Sequence, residues 1–303
     1  MGRAAQLLSH EELRRLSRRS DARGAGRLAV HLLLIGGAGW LVAVAGGWTL
    51  LPAMLLLGIA QAALFAPLHE TMHMTAFASR RANAVAGWLA ACPSLLNWHF
   101  YTAFHLAHHR FTQDPARDPE LAAPPPATLR AYLLRAAALP YWRRQAVLLR
   151  DAWRGDLSAY PYVSPRAAPD IIRSVRLMSA CVLVCAALSV LLAGWRTPLE
   201  FWIGPQLLGQ PALRLYLLTE HTLCSQDDDG LRNTRTTLTN ALVRLLMWNM
   251  SYHAEHHLYP SIPFHRLPQA HLALRDRLAV LQHGYARWHR GYIARLTGRY
   301  SPS

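Results

Sequence analysis

The sequence predicts an all-α integral membrane protein whose four transmembrane helices form two hairpins. Three observations predict it. Of the 303 residues, 52% are hydrophobic and only 16% charged, against a usual charged share of ~25%. Long stretches carry no Asp, Glu, Lys or Arg, and the basic residues gather in the segments between them. This composition excludes disordered, collagen-like and disulfide-scaffold chains. Four cysteines with no C-x-x-C leave neither a zinc ribbon nor a redox pair. The 32 basic residues, all Arg, exceed the 17 acidic ones and give +15. Such a charge suits nucleic acid or a membrane surface, and the apolar content selects the membrane.

Residues 28–68 carry no charge and turn near Gly46, Gly47 and Pro52. They form the first hairpin, with spans at about 28–47 and 50–68. A buried soluble hairpin would keep a polar face, and neither half has one. The second hairpin is 177–219. Its first span, 177–195, is free of charge, whereas the return, 201–219, contains Pro205, Pro211 and Arg214. It counts as a span because the chain has to return to the side it left. Ala43-Val44-Ala45 resembles a signal cleavage site, but the leader before it is too long. The basic segment 1–27 opens a short helix with a capping box at Ser9-His10-Glu11-Glu12. Arginine is dense before the first hairpin, between the hairpins and after the second. Both termini are therefore expected in the cytoplasm. Residues 127–150 are basic and amphipathic, interrupted by Pro140. They suit a helix in the headgroup layer or one packed on the protein.

Sixteen histidines are present, and eight fall in three windows: His69-Glu70-Thr71-Met72-His73, His105-Leu106-Ala107-His108-His109 and His253-Ala254-Glu255-His256-His257. Positions i, i+3 and i+4 share a helix face, so each window aims two or three imidazoles at one point. Neutral imidazole binds Fe, Zn, Cu and Ni, and eight exceed the needs of one tetrahedral ion. Two metals are the natural count. A satisfied core histidine is common singly, but three equally spaced clusters are not explained that way. Residues 82–104 are also free of charge. If they crossed the bilayer, the second window would lie opposite the first, so convergence requires a re-entrant or interfacial piece there.

Over roughly residues 50–270 the chain resembles the membrane fatty acid desaturase and hydroxylase superfamily. The resemblance rests on H-x-x-x-H, H-x-x-H-H and H-x-x-H-H in order. It also rests on their flanks: Phe104 through Thr112, Asp114-Pro115, Asp118-Pro119, Asn249 through Tyr252, and Leu258-Tyr259-Pro260. It implies a cytoplasmic helical cap, 69–176 and 220–303, holding a non-haem diiron centre with O2 as co-substrate. The implied ligands are His69, His73, His105, His108, His109, His253, His256 and His257, with a ninth, His221, shortly after the last span. Leu217 stands one turn before it, where the family often has Asn. His99 is a substitute ligand or a core hydrogen-bonding residue.

Two iron ions with O2 supply the oxidising power that no side chain has. Removing two hydrogens from an acyl chain gives an alkene; returning oxygen gives an alcohol. Glu70, Asp114, Asp118, Glu220 and Glu255 lie in or beside the boxes. Some are expected to accept hydrogen bonds from ligand histidines; an arginine salt bridge is the alternative for each. Residues 232–237 either bind a headgroup or carrier phosphate or form a solvated loop. No dinucleotide fingerprint, iron–sulfur cysteine cluster or His-Pro-Gly-Gly is present, which implies a separate donor such as a ferredoxin or cytochrome b5-like protein. The arginine-rich face suits such a donor or anionic membrane lipids.

A fatty-acyl desaturase is favoured over a hydroxylase or ketolase acting on a carotenoid, alkane or other lipid. His69-Glu70-x-x-His73 also matches a zinc membrane peptidase with Glu70 as base, which leaves six box histidines unexplained. A metal transporter would show repeat symmetry and mid-membrane ligands. Nucleic-acid binding finds no separate domain.

Overall fold

The computed structural model describes residues 7–299. The first six residues of the basic N-terminal segment and the last four of the chain lie outside that range. A short helix α1 (His10–Leu16) begins at Ser9, whose hydroxyl accepts from the Glu12 amide while Glu12 returns a bond to the Ser9 amide. Its Leu16, with Leu8, packs on Ile262, Leu267 and Leu274 near the other end of the chain. The described part of the N-terminal segment is therefore tied to the protein.

Three helical stretches are long and apolar enough to cross a membrane. The first is α2 (Asp21–Val44). Its first residue, after the Ser20 cap, is seven residues before the expected span, and it ends at Val44, three residues before Gly47 turns the chain with a φ of +55°. The second stretch runs from Gly47 to Met72 through α3 (Leu50–Ala62) and α4 (Phe65–Met72). The third comes later as α9 (Ala168–Ala193). At ~1.5 Å per residue each spans a ~30 Å hydrocarbon layer. In α2 and α9 only 11% of the most apolar window is buried. Their leucines face outward, Leu33 at 74% and Leu192 at 84% exposure, as lipid contact demands.

Between the second and third stretches the chain folds back on itself. Helix α5 (Arg80–Ala91) is followed by a tight turn at Cys92–Ser94 and then α6 (Trp98–Phe111), started by Asn97. This reversal, and not a crossing, returns the second histidine window to the first. Helices α7 (Leu129–Ala136) and α8 (Leu139–Arg154) fill the basic stretch. Pro140 sits in the first turn of α8, where its missing N–H costs nothing, so it starts a helix instead of breaking one. Tyr141, Gln145, Leu148 and Ala152 form the buried stripe of α8. Leu148 and Ala152 pack on Ile171 and Val175 of α9.

The expected fourth span differs from the other three. A short α10 (Arg196–Pro198) and a π turn lead into α11 (Gly204–His221), which carries Pro211 internally and buries Gln206, Gln210, Thr219 and Glu220. It is not among the stretches apolar enough to cross. It is instead packed hard against α3. A Cβ on Gly58 would collide with the Pro205 carbonyl, and one on Gly209 with the Gly58 backbone. Beside this contact Ser94 donates to Gln206 at 3.1 Å, Gln210 donates to Ser94 at 3.0 Å, and Gln206 donates to Gln61 at 3.3 Å.

The remainder is mostly short helix: α12 (Ala241–Leu246), α13 (His253–Leu258), α14 (Leu267–Leu274) and α15 (Tyr285–Leu296). The expectation of an all-α chain needs one correction. Strands β1 (Thr236–Leu238) and β2 (Leu281–His283) pair in parallel. After a largely exposed turn region at 223–232, residues 233–237 run through the interior into β1, and their amides take partners from β2 and neighbouring carbonyls. Substituting Ala for Gly209 should lower the melting temperature of the detergent-solubilised protein. The overpacking cost is about 1–3 kcal/mol, and Gly26→Ala, at an open position, is the control.

Candidate metal centre

Four helices deliver the histidines. His69 lies on α4 and His73 at its C-cap. His105, His108 and His109 lie on α6, His221 ends α11, and His253, His256 and His257 lie on α13. The structure brings all nine together. His69, His73, His105, His109 and His256 form one group, and His108, His221 and His257 another, each with ring nitrogens within 4.8 Å of one another. His253 adjoins the second group, its Nε2 lying 3.1 Å from those of both His221 and His257. His99 joins neither; its Nδ1 meets the Ser174 hydroxyl at 2.8 Å.

These contacts fit a metal better than they fit hydrogen bonds. His221 Nδ1 donates to the Asn233 carbonyl at 3.1 Å, and His108 Nδ1 to Asp118 at 2.9 Å. When both imidazoles are neutral, the form that binds a metal, each carries one N–H and both Nε2 atoms are left as lone pairs. Yet these Nε2 atoms face each other at 3.2 Å. Two facing lone pairs need a cation between or beside them. His69 is buried with neither ring nitrogen bonded, and Nδ1 of His253 and His256 is also unpartnered. Such buried polar atoms are costly unless a ligand satisfies them.

For most of the histidines other than His108, electrostatics point the same way. Burial, reinforced by neighbouring histidines, holds His105, His109, His253 and His257 well below the ordinary imidazole range and His256 at about 3. Neutral imidazoles are the metal-binding form. Burial also pushes His108 down, but Glu120 and Asp118 outweigh it and hold His108 above its usual value.

The five carboxylates have different surroundings. Asp118 is buried on His108 and also accepts the Gln113 amide at 2.8 Å. Glu220 stands 3.6 Å from His253 Nδ1. Asp114 touches no histidine; it pairs with Arg117 at the surface. Glu70 accepts from Thr75 at 2.8 Å and the Phe264 amide at 3.2 Å. Glu255 binds Thr236 and His271, a histidine outside the boxes. Glu120, 3.8 Å from His108, escaped the sequence reading, although Asp118-Pro119-Glu120 adjoins a motif already noted. Residues 233–237 are not the solvated loop allowed for above. They are buried; the Asn233 carbonyl accepts from His221, and Arg235 donates to the Thr219 and Thr222 carbonyls.

Two further features had no signal in the sequence. His31, inside α2, meets the Ala60 carbonyl with Nε2 at 2.9 Å and accepts the Trp248 indole N–H on Nδ1 at 3.3 Å. Trp248 and Asn249 both take positive φ just before the third window, a rare backbone for a bulky residue. The His31 bond and the Asn249 side-chain bond to the Phe264 carbonyl hold it.

A cavity of about 660 Å³ reaches this centre, with Phe65, Tyr101, Leu217 and His221 in its wall.

Apolar helices ending at two buried histidine groups define a multi-pass membrane protein with a histidine-held metal site. Residues 46–291 match the family model for fatty acid desaturases, so the chain belongs to that family and is an oxidoreductase of lipid metabolism. It is 26% identical to dihydrorhizobitoxine desaturase of Bradyrhizobium elkanii, over 79% of this chain and 70% of that one. It is 25% identical to a sphingolipid delta(4)-desaturase of Drosophila melanogaster, over 73% and 65%. An sn-1 oleoyl-lipid 12-desaturase of Picosynechococcus is 22% identical, over 82% and 76%.

Asp118→Asn should weaken metal binding by about 10–100-fold, and Asp114→Asn should leave it unchanged, as read by equilibrium metal titration. A pH effect follows from the depressed imidazoles. Unfolded, they take protons near pH 6.5, so between there and the folded values the unfolded chain holds more protons. The metal-free protein should keep full stability above about pH 6.5 and lose it as pH falls. Thermal melts across that range check this, and a flat profile contradicts it.

Proposed function

We propose that the protein is an O2-dependent desaturase that introduces a double bond into the fatty acyl chain of a lipid, with two iron ions in its histidine groups. The observation that carries the reading is the meeting of nine histidines, in sets of five and four, against an aromatic- and leucine-lined cavity. The iron pair supplies the oxidising power to take hydrogen from unactivated carbons. The protein's own residues do the positioning. Asp118 and the Asn233 carbonyl fix the tautomers of His108 and His221, so that both turn Nε2 inward. Phe65, Phe100, Tyr101 and Phe104 line the cavity, hold an apolar chain against the centre and exclude water.

The relatives it resembles are named as desaturases, which favours an alkene product over an alcohol or ketone. A peptidase built on His69, Glu70 and His73 would leave the other histidines gathered around them without a role.

In this reading α11 is the fourth crossing. The cap formed by 69–176 and 220–303, and both termini, face the cytoplasm. There a separate ferredoxin or cytochrome b5-like donor meets an arginine-rich surface. Purified protein should contain about two iron per chain with the Mössbauer signature of a coupled non-haem pair. His108→Ala and His256→Ala should each lose bound iron and abolish alkene formation, whereas His283→Ala, outside both groups, should keep both. Zinc in place of iron would sink the oxidative reading.

A further inference from the structure

Arg214 lies on α11 two turns before His221, which is ~10 Å along the helix axis. It lines the cavity. Its Nε and Nη2 atoms are buried and bonded to nothing, and no carboxylate among the described residues lies within ion-pairing distance of it. Its contact is the face of Tyr141, with Cζ 4.3 Å from the ring centre. The Tyr141 hydroxyl is itself held by the Ser94 carbonyl, so the platform is fixed. A guanidinium stacked this way keeps its N–H edge free for two parallel hydrogen bonds. Buried guanidinium donors with no acceptor are expensive. Leucine or methionine would pack there at no such cost. Arg135, Arg143 and Arg144 line the same cavity, and Glu120 is its one carboxylate. The cavity is therefore positive as well as apolar.

We propose that this cavity takes a substrate bearing an oxyanion, a carboxylate or a phosphate, and that Arg214 binds that group within two helical turns of the histidines. The proposal rests on the desaturase reading for the apolar remainder of the substrate and deepens it. The charged end enters the protein and lies near the reacting carbons instead of staying at the membrane surface. That geometry selects compact acids or phosphate esters over neutral lipid esters with distant headgroups. Arg214 is a specificity-determining residue.

The test is binding to iron-loaded, detergent-purified protein, measured by calorimetry with octanoate, octyl phosphate and methyl octanoate. Wild type should bind one of the anions at least about tenfold more tightly than the methyl ester. Arg214→Met should lose that advantage while keeping its iron content and elution volume, and Arg214→Lys should recover part of it. The better anion identifies carboxylate or phosphate. Equal binding of ester and anions by wild type overturns the proposal, as does undiminished anion binding by both variants. Should Arg214→Met fail to fold, the wild-type comparison and the Lys variant still decide. Binding is read without turnover, so the two readings fail separately. Anion binding without any alkene product sinks only the desaturase reading. Turnover of a neutral ester that Arg214→Met leaves intact sinks only the anion site.

Discussion

Nine imidazoles on four helices are brought face to face in two buried groups, and most of the structure answers to that constraint. Lone pairs repel, and buried ring nitrogens without partners are costly. Four of the nine histidines are held from behind. Asp118 and the Asn233 carbonyl bond the outer nitrogens of His108 and His221. The Thr112 hydroxyl meets His257 Nδ1 at 3.3 Å, and the Tyr101 hydroxyl meets His105 Nδ1 at 3.4 Å. A metal converts the remaining inward repulsion into attraction.

The helices reach these positions through close packing further down. Glycines at 58 and 209 let the α3 and α11 backbones touch. Helix α4 continues from α3 with only a brief break, so His69 at one end and His221 at the other come to the same level. The Ser94, Gln206, Gln210 and Gln61 chain lies beside that contact and ties in the turn before α6. Polar side chains so placed are satisfied by one another. They explain why α11 reads as a poor membrane helix: much of its polar surface faces protein.

The extended segment after α11 has a double role. Its Asn233 carbonyl orients His221, while Thr236 joins β1, donates its hydroxyl to Glu255 and accepts the Ala254 amide. The histidine that ends α11 and the first turn of α13 are thus set by one stretch of chain. The left-handed pair Trp248 and Asn249 then aims α13 inward, with Trp248 anchored on His31 of the first membrane helix.

The sequence by itself determined the membrane class, the first three apolar stretches and the histidine windows that come together. Each is a local property: an uninterrupted apolar length, or a helical spacing of i, i+3 and i+4 that puts side chains on one face whatever surrounds them. The reversal between α5 and α6 was also legible, because two histidine windows could not otherwise meet. Tertiary structure alone decided the partners. Asp114 and Asp118 sit four residues apart beside the same motif, yet one faces an exposed arginine and the other a buried histidine. Glu255 reaches His271, and His221 reaches Asn233, because the chain between them folds back. Arg214 read as a flaw in a span until the cavity beside it was visible. A hydrogen-bond partner depends on where distant segments come to rest, and residue type and spacing carry no record of that.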